Sequence, residues 1–187
     1  MGRKKVSDGL SKEMIVEEAD RQFLLLDFQK VSMRSIASAL GFSHGSIYYH
    51  FQNKTELFNA VIEKYFTKLN DLLDNALKFG CIEGTKYVLT SYIEFGLNNQ
   101  SQYDFMFVKQ DGLDDPLQQM APKESLKKFT HTLQCLHQHA LDEDNIHSVF
   151  IALHGFVLYY KGRVDNYEQA QEAAHSYINF LLNTLVC

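Results

Sequence analysis

Three times in the first 51 residues an apolar residue precedes a serine, and isoleucine follows four positions after that serine. The sets are Leu10-Ser11 with Ile15, Val31-Ser32 with Ile36, and Phe42-Ser43 with Ile47. Serine at an N-cap accepts a hydrogen bond from the first helical turn, and the flanking apolar pair staples the entry. The pattern predicts a first helix from Lys12 to about Leu26, a second opening at Met33 and stopped by Gly41, and a third over His44 to His50. Asn53 with Glu56 gives a capping box for a fourth, running from Lys54 through Leu57, Val61, Tyr65, Leu69 and Leu72 to about Lys78. Met33 to Ala39 and His44 to His50, joined through Gly41, make the helix-turn-helix whose second helix enters a major groove.

The rest of the chain favours the same class. Two prolines and ten glycines among 187 residues are too few for a turn-rich β protein. Further helices are expected at about 85–98, 101–109, 123–140, 144–162 and 166–185, with 111–116 as the clearest break. The fold class is therefore all-α, with an N-terminal three-helix helix-turn-helix unit, 1–53, joined to a larger helical bundle, 54–187. Cys81, Cys135 and Cys187 are odd in number and in no CxxC spacing, which reads as free thiols in a reducing cytoplasm. The basic start lacks the apolar run of a secretory signal, and the most apolar stretch, Val149 to Tyr160, is too short to cross a bilayer and is broken by His154.

Net charge is −5, against a nucleic-acid binder, but the charge is uneven. Residues 1–54 hold eight Lys/Arg and six Asp/Glu, residues 55–187 ten and seventeen, and no acid lies between Phe28 and Thr55. Catalytic signatures are absent: there is no GxSxG, Walker A loop, HExxH or paired cysteine cluster, so the chain reads as no enzyme, with no cofactor.

The residues from Ala19 to Val61 resemble the TetR family of transcriptional regulators. The resemblance is carried by Ala19, Phe23, Ser32-Met33, Ile36-Ala37, Leu40-Gly41-Phe42-Ser43, Gly45-Ser46, Ile47-Tyr48, His50-Phe51, Lys54, Leu57-Phe58 and Val61. Asp27 and Gln22 depart from it, standing where the family usually has glycine and leucine. The resemblance implies a DNA interface containing Ser32, Arg34, Ser43, His44, Gly45, Tyr48, Tyr49, His50 and Lys54. Within it Tyr48, His50 and Lys54 clamp phosphates, and Ser43, His44, Gly45 and Tyr49 face bases. Tyr48 reads equally as a core aromatic, and Phe51 reads better as one. Arg3, Lys4 and Lys5 form either a DNA-tracking arm or a solvated tail.

By the same resemblance, the C-terminal body holds a small-molecule ligand among its helices and a homodimer interface on its last two. Tyr92, Phe95, Phe107, Phe129 and His154 are candidate ligand-lining residues, with His154 more readily a satisfied core histidine. His131, Cys135 and His139 fall in one stripe opposite the apolar face of their helix, so a solvated face is favoured over a metal site. The function implied is a sequence-specific repressor, released from a palindromic operator of double-stranded DNA by a small molecule. The alternative is a DNA-bound structural or protein-recruiting factor without an inducer.

Overall fold

The computed structural model describes residues 9–26, 30–107, 116–138 and 140–185. Among these the chain is helical: α1 (Lys12–Leu25), α2 (Met33–Leu40), α3 (His44–His50), α4 (Lys54–Ala76), α5 (Cys81–Asn98), α6 (Gln100–Phe107), α7 (Pro116–Leu136), α8 (Glu143–Tyr160) and α9 (Gln171–Leu185), with a 3-10 turn at Glu168–Ala170 before α9. No helix among the described residues is long and apolar enough to cross a membrane. The chain divides into two compact units, residues 1–64 and 65–187, so the division falls within α4.

In the first unit the three serines cap as the pattern demands. Ser11 accepts from the Met14 amide at 3.2 Å, Ser32 from Ser35 at 3.0 Å and Ser43 from Ser46 at 3.2 Å. Each associated isoleucine, Ile15, Ile36 and Ile47, is fully buried. Gly41 ends α2 at φ 73°, a left-handed conformation that glycine adopts without strain. The Phe42 amide then bonds back to the Ala37 carbonyl at 3.0 Å, closing the turn before Ser43.

Two details of the caps differ from expectation. Glu56 does not return its carboxylate to the Asn53 amide but takes the Gln52 amide, at 2.7 Å, while Asn53 Oδ1 accepts from the Glu56 amide at 2.8 Å. A complete reciprocal box forms instead at Ser32 and Ser35. Gln22 explains itself there, because its side-chain oxygen lies 2.7 Å from Ser35 Oγ and its amide nitrogen donates to Glu18 at 2.7 Å. A polar residue on the inner side of α1 thereby ties α1 to the start of α2. Asp27 lies outside the described residues, as do Arg3, Lys4 and Lys5.

The second unit is built around α5, whose residues Val88, Leu89, Tyr92, Ile93 and Leu97 are buried. It packs against α7, α8 and α9. Helix α7 begins at Pro116 and runs through Pro122, earlier than the expected start at 123. Proline has a helical φ, so a helix can pass through it, at the cost of one backbone hydrogen bond and crowding against the preceding turn. Helix α7 also ends at Leu136, short of the expected 140, and Ala140 is exposed beyond it.

Candidate nucleic-acid interface

Helix α3 turns one residue inward. Ile47 is its buried member, and Phe51, just past its end, is buried too, so Phe51 is a core aromatic. The other positions of α3 are pushed outward by that single anchor. Tyr49 is 87% exposed and Tyr48 45% exposed, which places Tyr48 on the surface instead of in the core. His44 stacks edge-on against Tyr48 with ring centroids 4.7 Å apart, and Tyr49 against His50 at 5.2 Å. Ser43, His44 and Gly45 are exposed at the head of the helix. Among the described residues a Cβ built on Gly45 would meet only Ser43 Oγ, at 4.0 Å, so none of them requires glycine there. Ser32 and Arg34 are exposed at the start of α2.

Lys54 is placed differently from a plain phosphate clamp. Its Nζ donates to the Val31 carbonyl at 3.1 Å, and partial burial lowers its pKa. Val31 immediately precedes the Ser32 cap, so the first residue of α4 holds the first residues of α2 in place. A phosphate at Lys54 would have to share that ammonium.

In the body, four of the five candidate lining residues come together around His154. Tyr92, Phe107 and Phe129 join Phe150 and Tyr103 in a set of edge-to-face and tilted ring contacts. His154 has both ring nitrogens occupied: Nε2 lies 2.9 Å from the Tyr92 hydroxyl and Nδ1 2.5 Å from the Tyr103 hydroxyl. A neutral imidazole donates at one nitrogen and accepts at the other, so one tyrosine accepts and the other donates. Burial pulls His154 down to about 4 and pushes both phenols up. His154 is thus a satisfied histidine of the interior. Phe95 stands apart, its ring meeting Tyr65 at 6.5 Å. Tyr103 and Phe150 belong to this cluster and were not singled out by sequence. The four-residue spacings 103 to 107 and 150 to 154 were the signal that could have found them.

His131 and Cys135 are neighbours on α7, with Sγ 3.5 Å from Nε2, while His139 lies outside the described residues. Cys81 and Cys135 are free thiols; Cys187 is outside the described residues.

Residues 15–61 match the sequence family described as "Bacterial regulatory proteins, tetR family". A protein of Escherichia coli (strain K12) described as "Probable acrEF/envCD operon repressor" is 37% identical over 51 residues, covering 27% of this chain and 23% of its own. The "HTH-type transcriptional regulator TtgR" of Pseudomonas putida is 26% identical over 98 residues, covering 49% of this chain and 46% of its own. The matches thus span less than half the length of these relatives. In fold the chain is similar to a transcriptional regulator of the TetR/AcrR family from Thermobifida fusca, with a TM-score of 0.71, 16% identity, and coverage of 92% of this chain and 96% of that one.

Proposed function

We propose that this chain, whose residues 15–61 match the tetR family, is a homodimeric, sequence-specific DNA-binding transcriptional regulator, a repressor released from a palindromic operator by a small molecule. The observation that carries the DNA-binding part is the outer face of α3. Tyr49, Tyr48 and His44 stand exposed beside a glycine that no packing among the described residues demands. Glycine in a helix costs about 1 kcal/mol relative to alanine, and a bare backbone at that point suits close approach of another chain. Ser43, His44, Gly45 and Tyr49 then face bases, Tyr48 and His50 hold phosphates, and Lys54 adds charge there while bracing Val31. Ser32 and Arg34 supply backbone contacts from α2.

The test is binding to DNA selected from a random pool, followed by a panel of single-base variants at two salt concentrations. His44→Ala and Tyr49→Ala should relax sequence choice by roughly 1–3 kcal/mol at the base pair concerned. Lys54→Ala should weaken binding alike on operator and random DNA and lower the salt slope by about one. Uniform losses from His44→Ala and Tyr49→Ala, with altered base preference from Lys54→Ala, would overturn these roles.

The second reading, a recruiting factor without an inducer, is favoured by the ring-to-ring packing around His154, whose two polar ends are already taken. It predicts that no compound in a broad ligand screen releases the protein from its operator.

A further inference from the structure

A thiol and an imidazole meet within the second unit. Cys81, the first residue of α5, is exposed, and its Sγ lies 3.3 Å from Nδ1 of His137, just past the end of α7. The other ring nitrogen of His137 lies 2.8 Å from Thr85 Oγ1, and the Thr85 hydroxyl donates to the Cys81 carbonyl at 2.8 Å. Thr85 is fully buried, so this arrangement is held from beneath.

The polarity of the chain of bonds follows from counting protons. A threonine hydroxyl has one hydrogen: given to the Cys81 carbonyl, it leaves the oxygen to accept from His137, which is the polarity an activated thiol requires. Nε2 therefore carries the imidazole proton, and Nδ1 presents its lone pair to the thiol. Burial lowers the His137 pKa, so the ring is the neutral base at neutral pH. An accessible nucleophile, a base within reach and a third group fixing the base's tautomer are the parts of an activated thiol.

We propose that Cys81 is a covalent capture site for soft carbon electrophiles of the α,β-unsaturated carbonyl class, with His137 as its base and Thr85 as the positioning residue. As the sulfur–carbon bond forms at the β-carbon, the thiol proton passes to Nδ1 and the π electron pair moves to the α-carbon as an enolate. The enolate then takes that proton back from the imidazolium. The thioether contains every atom of both reactants, and no oxidant or reductant enters. An apolar electrophile suits the surroundings, since Phe79 and Ile82, flanking Cys81 in the chain, are 48% and 57% exposed. The adduct has a mechanical consequence, because it ends one of the two bonds by which the start of α5 holds His137 at the end of α7. There is little slack nearby: a Cβ on Gly84 would sit 2.5 Å from Leu136 Cδ2 and 2.9 Å from the Ala76 carbonyl.

This inference stands on the body's geometry and not on DNA binding. The reduced full-length protein is treated with 2-cyclohexen-1-one, and site-resolved mass spectrometry follows addition at Cys81, Cys135 and Cys187. Cys135 is the internal control, a half-buried thiol next to the imidazole of His131. Cys81 should react fastest, and His137→Gln should slow it about tenfold or more while leaving Cys135 unchanged. The pH–rate profile at Cys81 should lose its imidazole inflection in that variant, a change that a merely structural role would not produce. Thr85→Ser should keep the rate and Thr85→Val should lower it; if Thr85→Val does not fold, the His137→Gln profile decides. Addition at Cys81 no faster than at Cys135, or an unchanged rate and profile in His137→Gln, overturns the proposal.

Discussion

Gly45 separates two kinds of demand on a residue. Its Cβ position is open, its backbone is helical and it lies in the first turn of α3. Alanine there should stabilise the fold, by up to about 1 kcal/mol, since the unfolded chain loses freedom and the helix gains a better former. If the bare backbone serves a close approach to DNA, Gly45→Ala should also weaken operator binding. Chemical denaturation and binding measured on one preparation check both signs, and a gain in both would remove the argument for approach at that point. Lys54 and Gln22 show the limit of reading residues one at a time. Lysine at a helix start suggested an anion outside the chain, whereas its ammonium found the Val31 carbonyl within it. Gln22 looked like an imperfect apolar position and proved to be a link to the α2 cap.

At the scale of elements, local chemistry predicted best where a helix begins or ends. The serine caps, the Gly41 stop and the inward isoleucines are set by hydrogen bonds and contacts within about one helical turn, so α1, α2 and α3 were legible from the chain alone. The junction of α5, α6 and α8 through Tyr92, Tyr103 and His154 was not, because its members are separated by 51 and 62 positions. That junction should be felt in acid. Burial holds His154 at about 4 in the folded chain, whereas an unfolded histidine titrates near about 6.5. Between those values the unfolded chain binds a proton that the folded chain refuses. The stability from a neutral His154 is therefore complete above the unfolded value and is lost as pH falls toward the folded one, by up to about 3 kcal/mol. Urea denaturation at neutral pH and near pH ~4.5 should show a smaller acid loss for His154→Gln than for the unaltered protein. Equal losses would mean that this imidazole is not the one refusing the proton.

On the whole molecule, α8 and α9 are the two helices on which the family resemblance puts the dimer interface. Both helices have an inner side turned into their own unit, with Leu153, Val157, Ile178 and Leu181 buried, and an outer one with Ile151, Leu158, Tyr159 and Phe180 exposed. This redirects the test of the proposed dimer. Leu181 is 4% exposed within its own subunit, so a charge there should unfold the body. Phe180, 62% exposed, is the better probe. Phe180→Glu should keep its helical circular dichroism while sedimentation shifts from dimer toward monomer. A monomeric unaltered protein at micromolar concentration would end the dimer reading, and with it the matching of two recognition helices to a palindrome.

The sequence by itself determined the all-α class, the helix starts in the first unit and the helix-turn-helix, because caps, staples and a left-handed glycine act between residues a few positions apart. It also determined which family the chain resembles, since that signature lies in the same contiguous stretch. Tertiary structure alone decided that Tyr48 faces outward, that Lys54 braces Val31, that Phe95 stands apart from the His154 cluster and that Cys81 meets His137. Each of these depends on which helix faces which across the core, and hydrophobic burial, which sets that choice, is non-directional and leaves no local mark in the chain.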